Sequence, residues 1–268
     1  MQIIGLCRFS YPAIGGFQVG HETAQERMSY LWAHDRLEER FRLFETMALP
    51  CLRAQTDQDF DLLILIGDTF PKAHRDRLHD LTADIRQVQI ITEPPAPSRD
   101  MSKKLLNAAR RDPSKPCIQF RHDDDDACAV DFIAKLRAAA QDVEPLTRKH
   151  KTVAFDWNQG YVAEVGEAGI AATRIHRPFY VSALGMYIKG NAKTTIHNFM
   201  HERIPQFMPC ITYADADMFV RTHNGYNDSR QKQVKDWPVE PLTPEQITLF
   251  RDRFAVDIDT VRRVFSAP

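Results

Sequence analysis

One stretch constrains the fold more than any other: Gln119-Phe120-Arg121-His122 runs directly into Asp123-Asp124-Asp125-Asp126, close to the midpoint of 268 residues. Four adjacent carboxylates repel one another, so a fold that sets them at the end of a buried strand must supply counter-charge. The simplest source is a divalent cation with oxygen ligands. Most charge runs are solvated loops, but this one follows a strand pattern and precedes a helical one, so it reads as a metal and nucleotide-diphosphate site.

The surrounding pattern is α/β. Residues 3–6 read as a first buried strand, followed by a Pro- and Gly-punctuated loop through Gly16. Residues 35–53 place Leu37, Phe41, Phe44, Ala48 and Leu52 three or four apart, the period of an amphipathic helix, with Pro50 near its end. An apolar run at 60–66 predicts a second strand, and 88–92 and 117–121 a third and fourth. Helices are expected at 72–81 and 101–111. This alternation implies a mostly parallel central sheet flanked by helices.

Beyond the acidic run, Asp131 is positioned to cap a helix bearing Phe132, Ile133, Leu136 and Ala140. The alternation then fades. Strands are read at 151–157, 179–189 and 219–221 and a helix at 194–203, while Gly160, Gly166, Gly169 and Gly190 break the chain between them. Thr243-Pro244-Glu245-Gln246 is a capping box launching a C-terminal helix. With no repeat or low-complexity linker, a single domain is expected, with parts at 1–130 and 131–242 and a C-terminal helical segment at 243–268.

Composition removes several classes. With 35 basic and 36 acidic residues the net charge is −1, which lacks the footprint of a general nucleic-acid binder. Five widely spaced cysteines without a C-x-x-C pair argue against a disulfide framework and a cysteine zinc site, and fit a reducing compartment. No apolar run reaches membrane-spanning length. A cytoplasmic protein is therefore expected, with peripheral contact at the inner face of the membrane if the acceptor is lipid-linked.

The segment 117–126, followed by Val130-Asp131-Phe132-Ile133-Ala134-Lys135-Leu136, resembles the D-x-D strand end and following helix of GT-A-fold glycosyltransferases. Upstream, Leu49-Pro50-Cys51-Leu52-Arg53-Ala54-Gln55-Thr56-Asp57 is similar to the helix and Q-T turn of that superfamily. With Arg8-Phe9-Ser10 after the first strand and the loop from His223 to Ser229, the whole resembles the bacterial rhamnosyltransferase family over most of the chain. One departure is His122, where many relatives carry an apolar residue.

The resemblance implies a metal-dependent, inverting glycosyltransferase. It would move a sugar, rhamnose by the family's name, from a nucleotide-diphosphate donor to a saccharide or lipid-linked saccharide acceptor. It puts Asp123 at the ribose and Asp125 on Mn²⁺ or Mg²⁺, with Asp126 supporting the metal and Asp124 on the nucleotide-sugar side. A one-residue slip selects Asp124 and Asp126 instead, and the sequence leaves both registers open. Asp68 matches the acidic residue near the nucleotide base. Arg8 is read as a nucleotide contact or as the partner of a neighbouring carboxylate, and Lys103 as a neutraliser of diphosphate beside Arg99 and Lys104. His223 is the expected late metal or diphosphate contact. Asp217, with Asp215, is the expected base for the acceptor hydroxyl, in competition with Glu202 and His201.

Other functions are consistent with parts of the pattern. A sugar nucleotidyltransferase would carry a basic Gly-rich loop after the first strand, but residues 10–16 contain no Lys or Arg. A haloacid-dehalogenase phosphatase would place its D-x-D near the first strand. A non-catalytic assembly protein would use the carboxylates to hold Ca²⁺.

Overall fold

The computed structural model describes residues 1–15, 23–224 and 237–267. The first half runs β1 (Gln2–Arg8), α1 (Ala24–Leu31), α2 (His34–Leu43), α3 (Leu49–Arg53), β2 (Asp61–Gly67), α4 (Lys72–Thr82), β3 (Val88–Glu93), α5 (Ser98–Ala108) and β4 (Cys117–Arg121). One π-helical turn, Phe44–Ala48, joins α2 to α3, so the 35–53 stretch is continuous helix that absorbs Pro50 in the first turn of α3. The second half runs β5 (Ala127–Cys128), α6 (Phe132–Asp142), α7 (Glu144–Lys149), β6 (Thr152–Trp157), β7 (Gln159–Gly166), β8 (Gly169–His176), β9 (Leu184–Ile188), β10 (Cys210–Tyr213), β11 (Phe219–Thr222), β12 (Glu240–Pro241), α8 (Pro244–Phe254) and α9 (Ile258–Phe265).

The main sheet has seven strands in the order β10-β6-β9-β4-β1-β2-β3, parallel except for β9, which runs against both its neighbours. It draws strands from both halves of the chain. Along β1 the side chains alternate: Ile3 and Cys7 face a core with α2, α3 and α6, and Ile4 and Leu6 face a second core with α5. Between them Gly5 lets the Phe120 ring lie flat on β1, since a Cβ there would sit 2.3 Å from the ring. Because β1 to β4 run parallel, they deliver Arg8, Asp68 and the acidic run to one edge of the sheet. Open parallel sheets bind ligands at this carboxyl edge.

A second sheet has the order β12-β8-β7-β11-β5. The glycines at 160, 166 and 169 do not break the chain as expected. They build a hairpin in which Gly166 pairs with Gly169, the latter at φ 107°, where side chains are disfavoured. The helix expected at 194–203 is instead two short 3₁₀ turns, Ile196–Asn198 and His201–Gln206. Asp131 does not cap α6 with its side chain; its carboxylate pairs with Arg253 at 2.8 Å. Thr243 forms the capping box that the sequence signals, and Thr23 and Glu26 form another that launches α1. Among the described residues no helix is long and apolar enough to cross a membrane.

Candidate active site

β4 ends level with Leu6 of β1, and the chain then turns through the four carboxylates into β5, which pairs antiparallel with β11. That turn sets the carboxylates between two guanidinium groups, Arg40 with Asp124 and Asp125, and Arg221 with Asp123 and Asp126. Asp124 points at α2, where Arg40 holds it through Nε at 3.2 Å and through Nη2. Nη1 of the same guanidinium donates to Asp125 Oδ2 at 2.8 Å. Asp125 also reaches its neighbours on the far side: Asp123, Asp125 and Asp126 each offer an oxygen within 4.8 Å of the others.

Asp126 is fully enclosed. Its Oδ1 accepts from the Thr222 backbone N–H at 3.0 Å, and its Oδ2 from Ser182 Oγ at 2.6 Å and Arg221 Nη1 at 3.1 Å. Arg221 also stands 3.4 Å from Asp123. β11 thus brings a backbone donor and a cation to the cluster, and the next residues add to them. Thr222 Oγ1 donates to the Asp125 carbonyl at 2.9 Å, and Asn224 Nδ2 to Asp125 Oδ2 at 3.2 Å.

The electrostatics divide the carboxylates. Burial, with the charges of Asp125 and Asp123, pushes Asp126 up to about 7 despite Arg221. Burial also opposes ionisation of Asp123, but Arg221, Arg8, Arg40 and Arg121 together hold it below the usual carboxylate range. Asp123 keeps about a third of its side chain open to solvent, so it is the carboxylate a ligand meets first. Four carboxylates outnumber the two guanidinium groups in contact with them, Arg40 and Arg221, so the cluster keeps residual negative charge even with Asp126 partly protonated. An all-oxygen donor set with that residual charge fits a hard divalent cation such as Mg²⁺ or Mn²⁺.

Several expected residues lie elsewhere. Arg8 reaches the same edge, donating to Ser98 Oγ at 2.9 Å, close enough for its charge to act on Asp123. Asp68 is exposed at the end of β2. Lys103 is not brought to the cluster, because α5 runs back along the sheet and presents it to a groove with Asn107, Pro113 and Asn191 at the opposite edge. Asp217 and Asp215 are also displaced. Asp217 precedes Thr222 by five residues of extended chain, roughly 16 Å, and pairs with Arg174 at 2.8 Å, while Asp215 pairs with Lys135 at 2.5 Å. His223 follows Thr222 in the chain, and its half-buried ring is held below the ordinary imidazole range by burial and by Arg221. Its ring is not part of the close carboxylate group. Of the loop 223–229, residues 225–229 fall outside the described residues.

Local pattern does not single out Arg40, Arg221 or Ser182 for the site, and it offers His201 only as a competing base. Arg40 sits between core positions Leu37 and Phe41 on a helix whose charged residues look like a solvated face, and Arg221 lies in a three-residue strand signal. His201 Nδ1 lies 2.6 Å from the Phe179 carbonyl, and burial with Arg121 lowers its pKa, so the ring is neutral with Nδ1 as donor. Phe179 itself has φ 56°, a conformation costly for an aromatic residue, and its N–H donates to Asp156 at 2.8 Å.

The mostly parallel sheet with one reversed strand, carrying a carboxylate cluster at its carboxyl edge, agrees with the GT-A-type sheet that the sequence resemblance implies. A family model described as "Putative rhamnosyl transferase" matches residues 2–236, and the chain belongs to that glycosyltransferase family. Among solved structures, residues 1–349 of Staphylococcus aureus TarS in complex with UDP-GlcNAc align with TM-score 0.45 and 10% identity, over 87% of this chain and 62% of that one. The same protein in complex with UDP gives TM-score 0.44 and 10% identity, over 83% and 61%. The chain thus spans about three fifths of the TarS fragment it matches. No curated protein gives a significant match.

Proposed function

We propose that the protein is a metal-dependent, inverting glycosyltransferase that moves a sugar, rhamnose in the family's description, from a nucleotide-diphosphate donor to a saccharide or lipid-linked saccharide acceptor. The observation that carries this reading is the convergence of Asp123, Asp125 and Asp126 at the carboxyl edge, with Asp124 tied back by Arg40. In this reading Asp125 and Asp126 hold the cation and the half-open Asp123 accepts from the ribose. A bound divalent cation supplies Lewis-acid stabilisation of the negative charge that grows on the departing diphosphate.

The chain's own residues supply the rest. Arg221 and Arg8 add fixed positive charge beside the leaving group, where preorganised charge lowers the barrier without rearrangement. Ser182 and Thr222 fix the Asp126 carboxylate so that it need not reorient. The acceptor oxygen forms the new bond to the anomeric carbon as the bond to the diphosphate oxygen breaks. The hydroxyl proton passes to the free Nε2 of His201, which the Phe179 carbonyl keeps in the accepting tautomer. His201 replaces Asp217 and Asp215 as the proposed base, because those two lie at the far end of β11.

The test is nucleotide binding by calorimetry across a panel of nucleoside diphosphates, with and without Mn²⁺, on the wild type and Asp125→Ala. The wild type should bind one or two nucleotides only when metal is present, and the variant should lose that binding while remaining folded. Unchanged metal-dependent affinity in Asp125→Ala would overturn the reading, and a response to Ca²⁺ without any nucleotide would favour a calcium-binding assembly protein.

A further inference from the structure

We propose that His34, Glu38 and His74 form a second divalent-cation site, specific for Zn²⁺-like ions and separate from the acidic cluster. The three residues come from two helices. His34 and Glu38 are four apart at the start of α2 and so share a face, and α4 presents His74 against that face. A ring nitrogen from each histidine and a carboxylate oxygen of Glu38 lie within 4.8 Å of one another. Two histidines and one carboxylate are a ligand set that binds Zn²⁺ with a fourth position left to water.

The geometry of the inner pair is already close to what a metal requires. His74 Nε2 and Glu38 Oε1 are 3.2 Å apart. Two ligands bonded at about 2.0–2.1 Å around a tetrahedral ion stand about 3.3 Å from each other. A cation can therefore take the place of the proton shared by this pair with almost no movement. With metal at Nε2 the ring proton sits on Nδ1, which is buried without a hydrogen-bond partner among the described residues. The exposed His34 ring, 6.4 Å centroid to centroid from His74, completes the set by a side-chain rotation at the surface.

The surrounding groups hold the ligands in place. Arg77 Nη1 donates to the other oxygen of Glu38 at 2.8 Å, orienting Oε1 toward His74. The His74 ring stacks on Phe41 at 5.6 Å, which fixes its plane. Nitrogen ligands select Zn²⁺, Co²⁺ or Ni²⁺ over Mg²⁺ and Mn²⁺, so the two sites take different ions. Occupancy ties the first turn of α2 to α4, and α2 is the helix whose Arg40 holds Asp124 and Asp125.

The test is titration of the protein with Co²⁺ in excess Mg²⁺, which fills the acidic cluster, followed by displacement with Zn²⁺. The wild type should take up one equivalent with the visible absorption of tetrahedral Co²⁺, bleached by Zn²⁺, and show a rise in Tm with Zn²⁺. His34→Ala, at an exposed position that leaves the fold intact, should bind at least tenfold more weakly, and His74→Gln should remove the absorption. Absence of the absorption in the wild type would overturn the proposal, as would full affinity retained in His34→Ala.

Discussion

Arg221 Nη1 lies 3.1 Å from Asp126 Oδ2, and the carboxylate it meets is wholly buried. Removing one partner of such a pair strands the other, at a cost of about 3–5 kcal/mol. Asp126 can take up a proton, since its pKa already stands near 7, so the lower end is expected. Arg221→Met should lose about 3 kcal/mol in urea denaturation, and Arg221→Met with Asp126→Asn should lose less than the two single losses added together. Strict additivity would mean the pair does not couple.

Asp124 and Asp125 share the Arg40 guanidinium, but only Asp125 also belongs to the close carboxylate group, so the two should separate in experiment. Asp124→Asn weakens a buried charge-assisted contact, so it should cost about 1–3 kcal/mol of stability. Its metal-dependent nucleotide affinity should stay within about threefold of the wild type, because 1.4 kcal/mol is already tenfold. Equal loss of binding in Asp124→Asn and Asp125→Ala would show that the register of the cluster is the slipped one.

The first half of the fold was legible because each element carries its own period. The run from Phe60 to Ile66 has strand length and forms β2, and Leu37, Phe41 and Phe44 mark one helix face. The second half was less so. Gly160, Gly166 and Gly169 look like breaks along the chain, yet Gly160 is demanded by tertiary contact and Gly169 by the turn geometry of the β7–β8 hairpin. The carboxylate run announced itself through charge, but its partners could not. Arg40 and Arg221 are 84 and 95 residues from the aspartates they contact, and local pattern carries no information about which distant cation folds back. Asp217 misled for a related reason: its distance from His223 along the chain suits a base, but an extended strand carries it away from the site.

Asp156 gives a pH dependence with a definite sign. Burial raises its carboxyl to about 7, while its Oδ1 accepts from the Phe179 N–H. In the unfolded chain an Asp titrates near 3.9. Between these values the folded protein holds a proton that the unfolded chain has released, so stability falls as pH rises from about 4 to about 7 and levels off above. Asp156→Asn keeps the acceptor for Phe179 and removes the titration. Denaturation midpoints from pH 5 to 8 should show the variant gaining on the wild type with rising pH. A constant difference would assign Asp156 an ordinary pKa.

Gly160 tests whether the second sheet positions the site. It pairs with Phe219 across β7 and β11, and a Cβ there would lie 2.3 Å from the Phe219 carbonyl oxygen and 2.7 Å from its ring. Backbone must move to admit it, which costs about 1–3 kcal/mol or more. The strand forced away is the one bearing Arg221 and Thr222, so Gly160→Ala should weaken metal-dependent nucleotide binding as well as stability. Gly166, at the end of the same strand, has no positive φ, and a Cβ added to it would meet no atom within 4 Å. Gly166→Ala should therefore change stability by no more than about 0.5 kcal/mol and leave binding intact. If Gly160→Ala lost stability but bound nucleotide as the wild type does, the Arg221–Asp126 contact would not depend on the register of β11.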